Sequence, residues 1–396
     1  MKCPICQNDE SILVTNRENI PVFQNRLFKN REDSIATARG NEKFEMCVEC
    51  GFVWNVSFDS SIDLYSLDYN NSQTASDYFI KYMKSSAQWL KERYGKPQKV
   101  IEVGCGRKAE YLRILSKCLQ ADTRFEGYDP SLIVESRDNI TLYDRYFDLY
   151  HEKCEDADWI ISRHVIEHIC NPLKMFENVL CLNKQNDQSV AFFETPDVRW
   201  ILRNNVIIDW PYEHCSLLSP AVFRKMAKIV DVKVDDIEEA FGGQYMWIFA
   251  QWGGYRAIDE NNRISDIHEM HQLVSEYRNN ERIAIEYIND FLEKKSKHNR
   301  KMAIWGAGAK GNVFLNMFDQ DHKYIDCVID INKDKMGLYT SGTGHKIYDP
   351  QSINDGIGTI IVMNQMYMKE ISSLINYLKV KNVELVAFED LCKGGI

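Results

Sequence analysis

An α/β protein with two doubly wound units behind a small cysteine-bearing segment is predicted by three observations. Short apolar runs alternate with helical patterns in two separate blocks of the chain. Each block opens with a glycine-rich turn directly after a strand-like run: Gly104-Cys105-Gly106 after 99–103, and Gly306-Ala307-Gly308 after 301–305. Ahead of both blocks stand Cys3-x-x-Cys6 and Cys47-x-x-Cys50 in polar sequence. At 396 residues the chain exceeds one ordinary core, so two to three domains are expected.

In order along the chain, residues 1–75 form a cysteine-bearing domain. Residues 76–253 carry the first βα block, with strands expected at 99–103, 124–128, 159–162, 190–194 and 245–251 and helices at 76–94, 110–118, 172–181 and 220–229. Residues 254–298 are charged, with Ile264, Ile267, Met270, Leu273, Val274 and Tyr277 at helical spacing. They read as a helical connector, a solvated amphipathic helix without chemistry. Residues 299–396 restart the βα pattern with strands at 302–305, 324–329, 359–362 and 383–388.

Composition narrows the function. Hydrophobic residues make up 44% and charged residues 27%, an ordinary globular balance. The formal net charge of −10 argues against a broad phosphate-tracking surface for nucleic acid. No apolar run approaches the roughly 20 residues that span a bilayer, and Met1-Lys2-Cys3-Pro4 lacks the apolar region of a signal peptide. A cytoplasmic location is expected, with the 12 cysteines reduced or metal-bound. The expected partner is a small-molecule substrate, without nucleic acid or membrane, and the chain is expected as a monomer or weak homo-oligomer.

Cys3, Cys6, Cys47 and Cys50 can point four thiolates at one tetrahedral ion, and Pro4 and Gly51 suit the tight turns. Four cysteine ligands leave no open position, so the expectation is structural Zn2+. Redox or incidental cysteines are the alternative.

The first turn has strand–turn–helix context, which a glycine motif needs before it carries meaning. Glu102 precedes Gly104, Cys105 and Gly106, and a second strand ends at Asp129, placed to accept ribose hydroxyls. A nucleoside cofactor is expected there. The E-x-G-x-G form resembles class I S-adenosylmethionine (SAM) methyltransferases, while a pyrophosphate binder would want a third glycine where Ala109 stands. Arg163 and His164, in Ser162-Arg163-His164-Val165-Ile166-Glu167-His168, follow the fourth strand and are expected nearest the cofactor. His168 reads as a structural residue under the sheet rim. The adenine pocket is expected around 144–147.

The second turn is a full G-x-G-x-x-G, Gly306-Ala307-Gly308-Ala309-Lys310-Gly311, with Asp330 at the end of the next strand. Glycines before a helix suit any phosphate. A substrate nucleotide, NAD and plain structural packing are its three readings.

These pieces in this order resemble the three-domain sugar C-methyltransferase family. The resemblance is carried by the cysteine knuckles, the E-V-G-C-G turn, Tyr212-Glu213-His214, Phe241-Gly242-Gly243-Gln244-Tyr245, the second glycine turn and Gly342-Thr343-Gly344-His345. It implies an N-terminal zinc-binding domain, a class I SAM methyltransferase domain and a C-terminal Rossmann-like domain that helps hold a nucleotide-linked sugar. It further implies a loop carrying the catalytic base. His214 is expected as that base, with Glu213 and Tyr212 positioning it. In the family's Tyr-His-Glu-His loop the leading tyrosine falls on Pro211 here and the first histidine on Tyr212. Tyr69 and Asn71 are expected to face substrate, together with Gly306, Gly308, Lys310, Asp330 and His345.

C-methylation of a nucleotide-linked keto-deoxysugar, or a similar activated small molecule, through a His-generated enolate is the leading expectation. The alternatives are a SAM-dependent O- or N-methyltransferase on a nucleotide-linked or secondary-metabolite acceptor, and an NAD-dependent oxidoreductase using the second glycine turn.

Overall fold

The structure, a computed structural model, describes residues 1–64, 69–119, 122–147, 157–181, 189–251, 260–297, 300–354 and 356–394. Among them no helix is long and apolar enough to cross a membrane.

The central sheet has seven strands in the order Lys233–Ala240, Tyr245–Gln251, Val190–Pro196, Trp159–Arg163, Lys99–Val103, Arg124–Tyr128, Ile140–Tyr143. Tyr245–Gln251 runs antiparallel to both neighbours, and the other pairs are parallel. This is the strand arrangement of the class I methyltransferase fold. The chain direction reverses across the sheet beside Lys99–Val103, where ligand crevices form at the carboxyl ends of the strands. Lys99–Val103 is buried throughout its length, as a strand covered on both faces must be. Ser76 caps the helix Asp77–Tyr94 by accepting from the Phe79 N–H, and Gly95 ends it at φ +77°.

The C-terminal sheet has five parallel strands in the order Ile347–Tyr348, Ile325–Ile329, Lys301–Trp305, Ile357–Val362, Glu384–Ala387. Its glycine turn packs tightly, since a Cβ on Gly311 would lie 2.0 Å from the Gly306 carbonyl oxygen.

The N-terminal sheet is antiparallel: Ser11–Pro21, Arg39–Cys47, Val53–Asn55 and, as its fourth strand, Ser216–Leu217. That last strand belongs by sequence to the methyltransferase block and follows His214 by two residues. The pairing of Trp54 with Ser216 fastens the His214 loop to the N-terminal domain.

The helix Glu260–Ser296 corrects the expectation of a solvated connector. Met270, Val274, Tyr277, Ala284, Ile288 and Leu292 are fully buried. They share one core with Phe44 and Val53 of the N-terminal sheet, Trp210 of the His214 loop, and Ile304 and Phe314 of the C-terminal domain. Each such large apolar side chain contributes about 1.5–3 kcal/mol of burial free energy, so the helix is the shared wall of three units.

Candidate active site

Four thiols converge in the N-terminal domain. Cys3 Sγ lies 3.6 Å from Cys50 Sγ, and Cys6 Sγ 3.5 Å from Cys47 Sγ. All four sulfurs fall within 4.8 Å of one another. A tetrahedral ion with bonds of about 2.3 Å spaces its sulfurs by about 3.8 Å, so the cluster can hold a metal ion. Gly51 at φ +73° turns the second knuckle, with its N–H on the Cys47 carbonyl at 2.9 Å. Hydrogen bonds from the Cys3 and Cys50 thiols hold the Cys47 thiol well below its ordinary value.

At the first glycine turn the Gly104 and Cys105 N–H groups donate to the Tyr128 carbonyl at 2.8 and 3.1 Å, and Gly106 N–H donates to Asp129 Oδ2 at 2.9 Å. Gly104 and Gly106 both sit at φ +74°, in the left-handed region. Glu102 is buried behind the turn, its Oε2 without a partner among the described residues, and burial pushes its carboxyl up to about 8. A buried acceptor without a donor at the strand's end fits a cofactor that brings hydroxyl and ammonium groups. The second glycine turn repeats this construction, with Ala307 N–H donating to Asp330 Oδ2 at 2.8 Å.

A cavity of about 270 Å³ lies between the methyltransferase and C-terminal domains. His164, Glu167, His168 and Tyr245 line it from the first, and Trp305, Gly306, Gly308, Lys310 and Asp330 from the second. His214 and Pro211 reach it from the loop, Tyr69, Asn71 and Gln73 from the domain junction, and Asn25 from the N-terminal domain. Its seam is closed by a reciprocal amide pair, Gln244 with Asn364 at 2.9 and 3.1 Å, and by Tyr367 OH donating to Gln73 at 2.7 Å.

Several sequence expectations are corrected. Tyr212 is 1% exposed and absent from the cavity wall; it packs on Phe58, and its hydroxyl accepts from the Asp59 N–H at 2.9 Å. Pro211 and His214 close a tight turn, His214 N–H to Pro211 O at 2.9 Å, and this turn sends Tyr212 toward the N-terminal domain. Glu213 does not touch the His214 ring through its carboxylate. It accepts from Gln24 N–H, Asn25 N–H and Asn25 Nδ2 at 2.7, 2.9 and 2.6 Å. Arg163 is committed to a buried ion pair with Glu194 at 2.7 Å and lies over Tyr111. His345 is 2% exposed and outside the cavity, held by Asp319 at 3.0 Å and Thr343 at 2.9 Å. Lys310 does line the cavity, but its Nζ is paired with Asp209 at 2.8 Å. Glu102, Gly104, Cys105, Gly106 and Asp129 lie together behind the cavity rather than in its wall.

Three residues become prominent: Glu167 and Asn25, which the sequence left unassigned, and His168, which it read as structural under the sheet rim and which lines the cavity. Glu167 is fully buried, takes a hydrogen bond from Thr195 Oγ1 at 3.0 Å and faces His164 Nδ1 at 3.3 Å. His168 Nδ1 donates to the Glu213 carbonyl at 2.9 Å, and its ring meets His214 edge to face at 4.7 Å. Asn25 links Glu213 to the cavity. The spacing Glu167-His168 was visible, but nothing in it says that both face His214.

Charges in this wall are strongly ordered. Burial opposes the charge on His164, yet hydrogen bonds to Glu167 and Glu194 raise it to about 9. Burial likewise opposes Glu167, but its His164 hydrogen bond holds it down at about 2. Burial pushes His214 down to about 3, and His168 adds to the effect. His214 therefore presents a neutral ring with a lone pair.

Residues 78–236 match the model of a methyltransferase domain, and residues 259–387 match the model of the C-methyltransferase C-terminal domain. No curated protein matches the chain. Solved structures similar to it include N,N-8-amino-8-demethyl-D-riboflavin dimethyltransferase from Streptomyces davawensis (12% identity, 44% of this chain and 55% of that one, TM-score 0.37). Magnesium protoporphyrin IX methyltransferase from Synechocystis PCC 6803 with bound SAH is another (14%, 46% and 88%, 0.34), as is a SAM-dependent methyltransferase from Aquifex aeolicus (13%, 46% and 96%, 0.35).

The strand order and the matched domain make the chain a SAM-dependent methyltransferase. Its two matched domains, in this order behind an N-terminal region, are consistent with a C-methyltransferase family. The matched domains do not favour the NAD-dependent oxidoreductase alternative.

Proposed function

We propose that the protein C-methylates a nucleotide-linked keto-deoxysugar, or a similarly activated small molecule, through an enolate formed by His214. The observation that carries this reading is one cavity lined by the His214 ring, the His164 end of the methyltransferase sheet and the second glycine turn. The nucleotide diphosphate lies against Gly306 and Gly308 at the N-terminus of the helix Ala309–Phe318, where backbone N–H groups favour an anion. The sugar extends toward His214, past Tyr69 and Asn71.

SAM, when bound, supplies an electrophilic methyl group on a sulfonium. The site proposed to hold it is formed by Glu102, Gly104, Cys105, Gly106 and Asp129, with His164 at its cavity side. His214 takes the proton alpha to the acceptor's ketone onto its neutral ring nitrogen. The bond's electron pair remains on carbon as the enolate and forms the new carbon–carbon bond to the methyl group; the sulfur–methyl bond of bound SAM would break with its pair left on sulfur, giving the neutral thioether as leaving group. Burial keeps His214 neutral, so its ring is unprotonated across the physiological range. Holding both partners in one closed space supplies much of the acceleration. The cysteine cluster is proposed to hold one structural Zn2+ and with it the sheet that anchors the His214 loop.

The test is exchange of the alpha proton in deuterium oxide with candidate nucleotide-linked keto-sugars and no SAM. Wild type exchanges and His214→Ala does not; equal exchange by both removes His214 as the base. Locating the methyl from labelled SAM by carbon-13 NMR separates carbon from oxygen or nitrogen transfer.

A further inference from the structure

We propose that Glu167, His168 and His214 form a second metal site, separate from the cysteine cluster, that takes one divalent cation of the zinc, manganese or iron(II) class. Each residue offers one donor atom, and the three donors lie within 4.8 Å of one another. All three line the cavity. Two imidazoles and one carboxylate suit a borderline first-row ion, whereas calcium and magnesium prefer all-oxygen shells.

The surroundings are those of a ligand set already oriented. His168 Nδ1–H donates to the Glu213 carbonyl at 2.9 Å, which puts the ring's lone pair on Nε2. Metal-bound histidines carry this kind of outer hydrogen bond. Glu167 is fixed on both oxygens, by Thr195 Oγ1 at 3.0 Å and by His164 at 3.3 Å, and each oxygen keeps a second lone pair. His214 Nδ1 is buried and has no hydrogen-bond partner among the described residues. Donors on a four- or six-coordinate ion with bonds of about 2.0–2.1 Å stand about 3 Å apart, an approach that side-chain torsions supply.

Attraction by excess negative charge is not the argument. Glu194 is answered by Arg163 at 2.7 Å and Glu167 by His164, so donor chemistry and not net charge selects the ion. Three protein ligands leave coordination positions open toward the cavity, where a carbonyl or hydroxyl oxygen of the acceptor would sit.

The inference shares the cavity of the proposed function but not the base. A cation on His214 and a proton on His214 use the same ring and exclude each other. The experiment uses full-length reduced protein, dialysed and divided: one portion is loaded with Zn2+ for elemental analysis, and another, not loaded, is titrated with Mn2+ by EPR, a probe that thiolate clusters disfavour. Wild type is expected to hold two zinc ions and bind one Mn2+. Glu167→Gln and His168→Ala are each expected to hold one zinc and bind no Mn2+, the retained ion showing that the cysteine domain is folded. Wild type holding one zinc and leaving Mn2+ free overturns the site. Proton exchange on protein that keeps its cysteine-bound zinc, before and after loading of the second ion, separates the two readings. Exchange lost on loading supports both. Exchange that requires the ion supports the site and ends the base reading. One ion with His214-dependent exchange ends the site and leaves the base.

Discussion

Replacing Glu213 by glutamine tests whether this carboxylate positions a loop or tunes the base. Glu213 is 1% exposed and accepts three hydrogen bonds, two from backbone N–H groups of Gln24 and Asn25 and one from the Asn25 amide. Glutamine keeps one oxygen for the backbone donors but sets an NH2 group against Asn25 Nδ2, which lies 2.6 Å from Glu213 Oε2. Losing one charge-assisted hydrogen bond costs about 1.5–3 kcal/mol, a fall of a few degrees in Tm for a chain of this size. Glu213→Ala goes further, leaving two buried N–H groups unpaired at about 1–3 kcal/mol each. Asn25 lines the cavity, so the substitution is also expected to raise KM for the acceptor. The pH midpoint of alpha-proton exchange should stay where it is, because the Glu213 carboxylate points away from the His214 ring. Thermal unfolding together with the pH profile of exchange measures both. An unchanged Tm with a midpoint moved by about one pH unit (about 1.4 kcal/mol) would refute the reasoning and return Glu213 to the role its sequence position suggested.

Gly308→Ala is expected to leave Tm unchanged, since the nearest atoms to an added Cβ are 4.0 Å away, yet to weaken binding of uridine or thymidine diphosphate; equal affinity by calorimetry would move the nucleotide off this turn. Gly311→Ala, whose Cβ would meet the Gly306 carbonyl oxygen at 2.0 Å, should cost about 3 kcal/mol or more and be read as lost soluble protein or lowered Tm. Burial pushes Glu42 up to about 8, so its folded form holds its proton beyond the ordinary carboxylate range. The contribution of Glu42 to stability is therefore fully present below about pH 4.5 and is lost, by up to about 4–5 kcal/mol, as pH rises through 8. Glu42→Gln should flatten that fall and melt above wild type at pH 9; parallel profiles would show that Glu42 titrates normally.

What the sequence made legible was local. A strand, a glycine turn and a helix announce themselves within about 20 residues, and the strands at 99–103, 124–128 and 245–251 lie where the pattern puts them. Lys233–Ala240 escaped because its residues, Lys-Val-Asp-Asp-Ile-Glu-Glu-Ala, are poor strand formers on a half-exposed sheet edge. The N-terminal sheet escaped because Ser11–Pro21 breaks its alternation at two register shifts, between Leu13 and Thr15 and between Arg17 and Ile20. The buried stripe of Glu260–Ser296 was visible, but which surfaces covered it was not. In the cavity, residue type was legible and direction was not. Tyr212, Glu213 and His214 are consecutive, yet a tight turn sends their side chains to the N-terminal core, to Asn25 and to the cavity respectively.

The construction of the His214 loop implies that the N-terminal domain acts on the chemistry without touching substrate through its cysteines. Two residues after His214 the chain becomes the fourth strand of the N-terminal sheet, and Cys215 O accepts from Asn55 N–H at 3.0 Å. On the other side, Trp210 is fully buried against Phe44 of the same sheet and Tyr277 of the long helix. Between these anchors Glu213 holds residues 24 and 25, and its carbonyl holds His168. The N-terminal sheet borrows its fourth strand from the His214 loop and shares its core with that loop and the long helix, so a metal ion at Cys3, Cys6, Cys47 and Cys50 would stabilise the frame that fixes His214 relative to Glu167 and His168. Loss of that ion should thus appear first as disorder of the His214 turn, ahead of any unfolding of the methyltransferase sheet, whose seven strands are hydrogen-bonded independently of it.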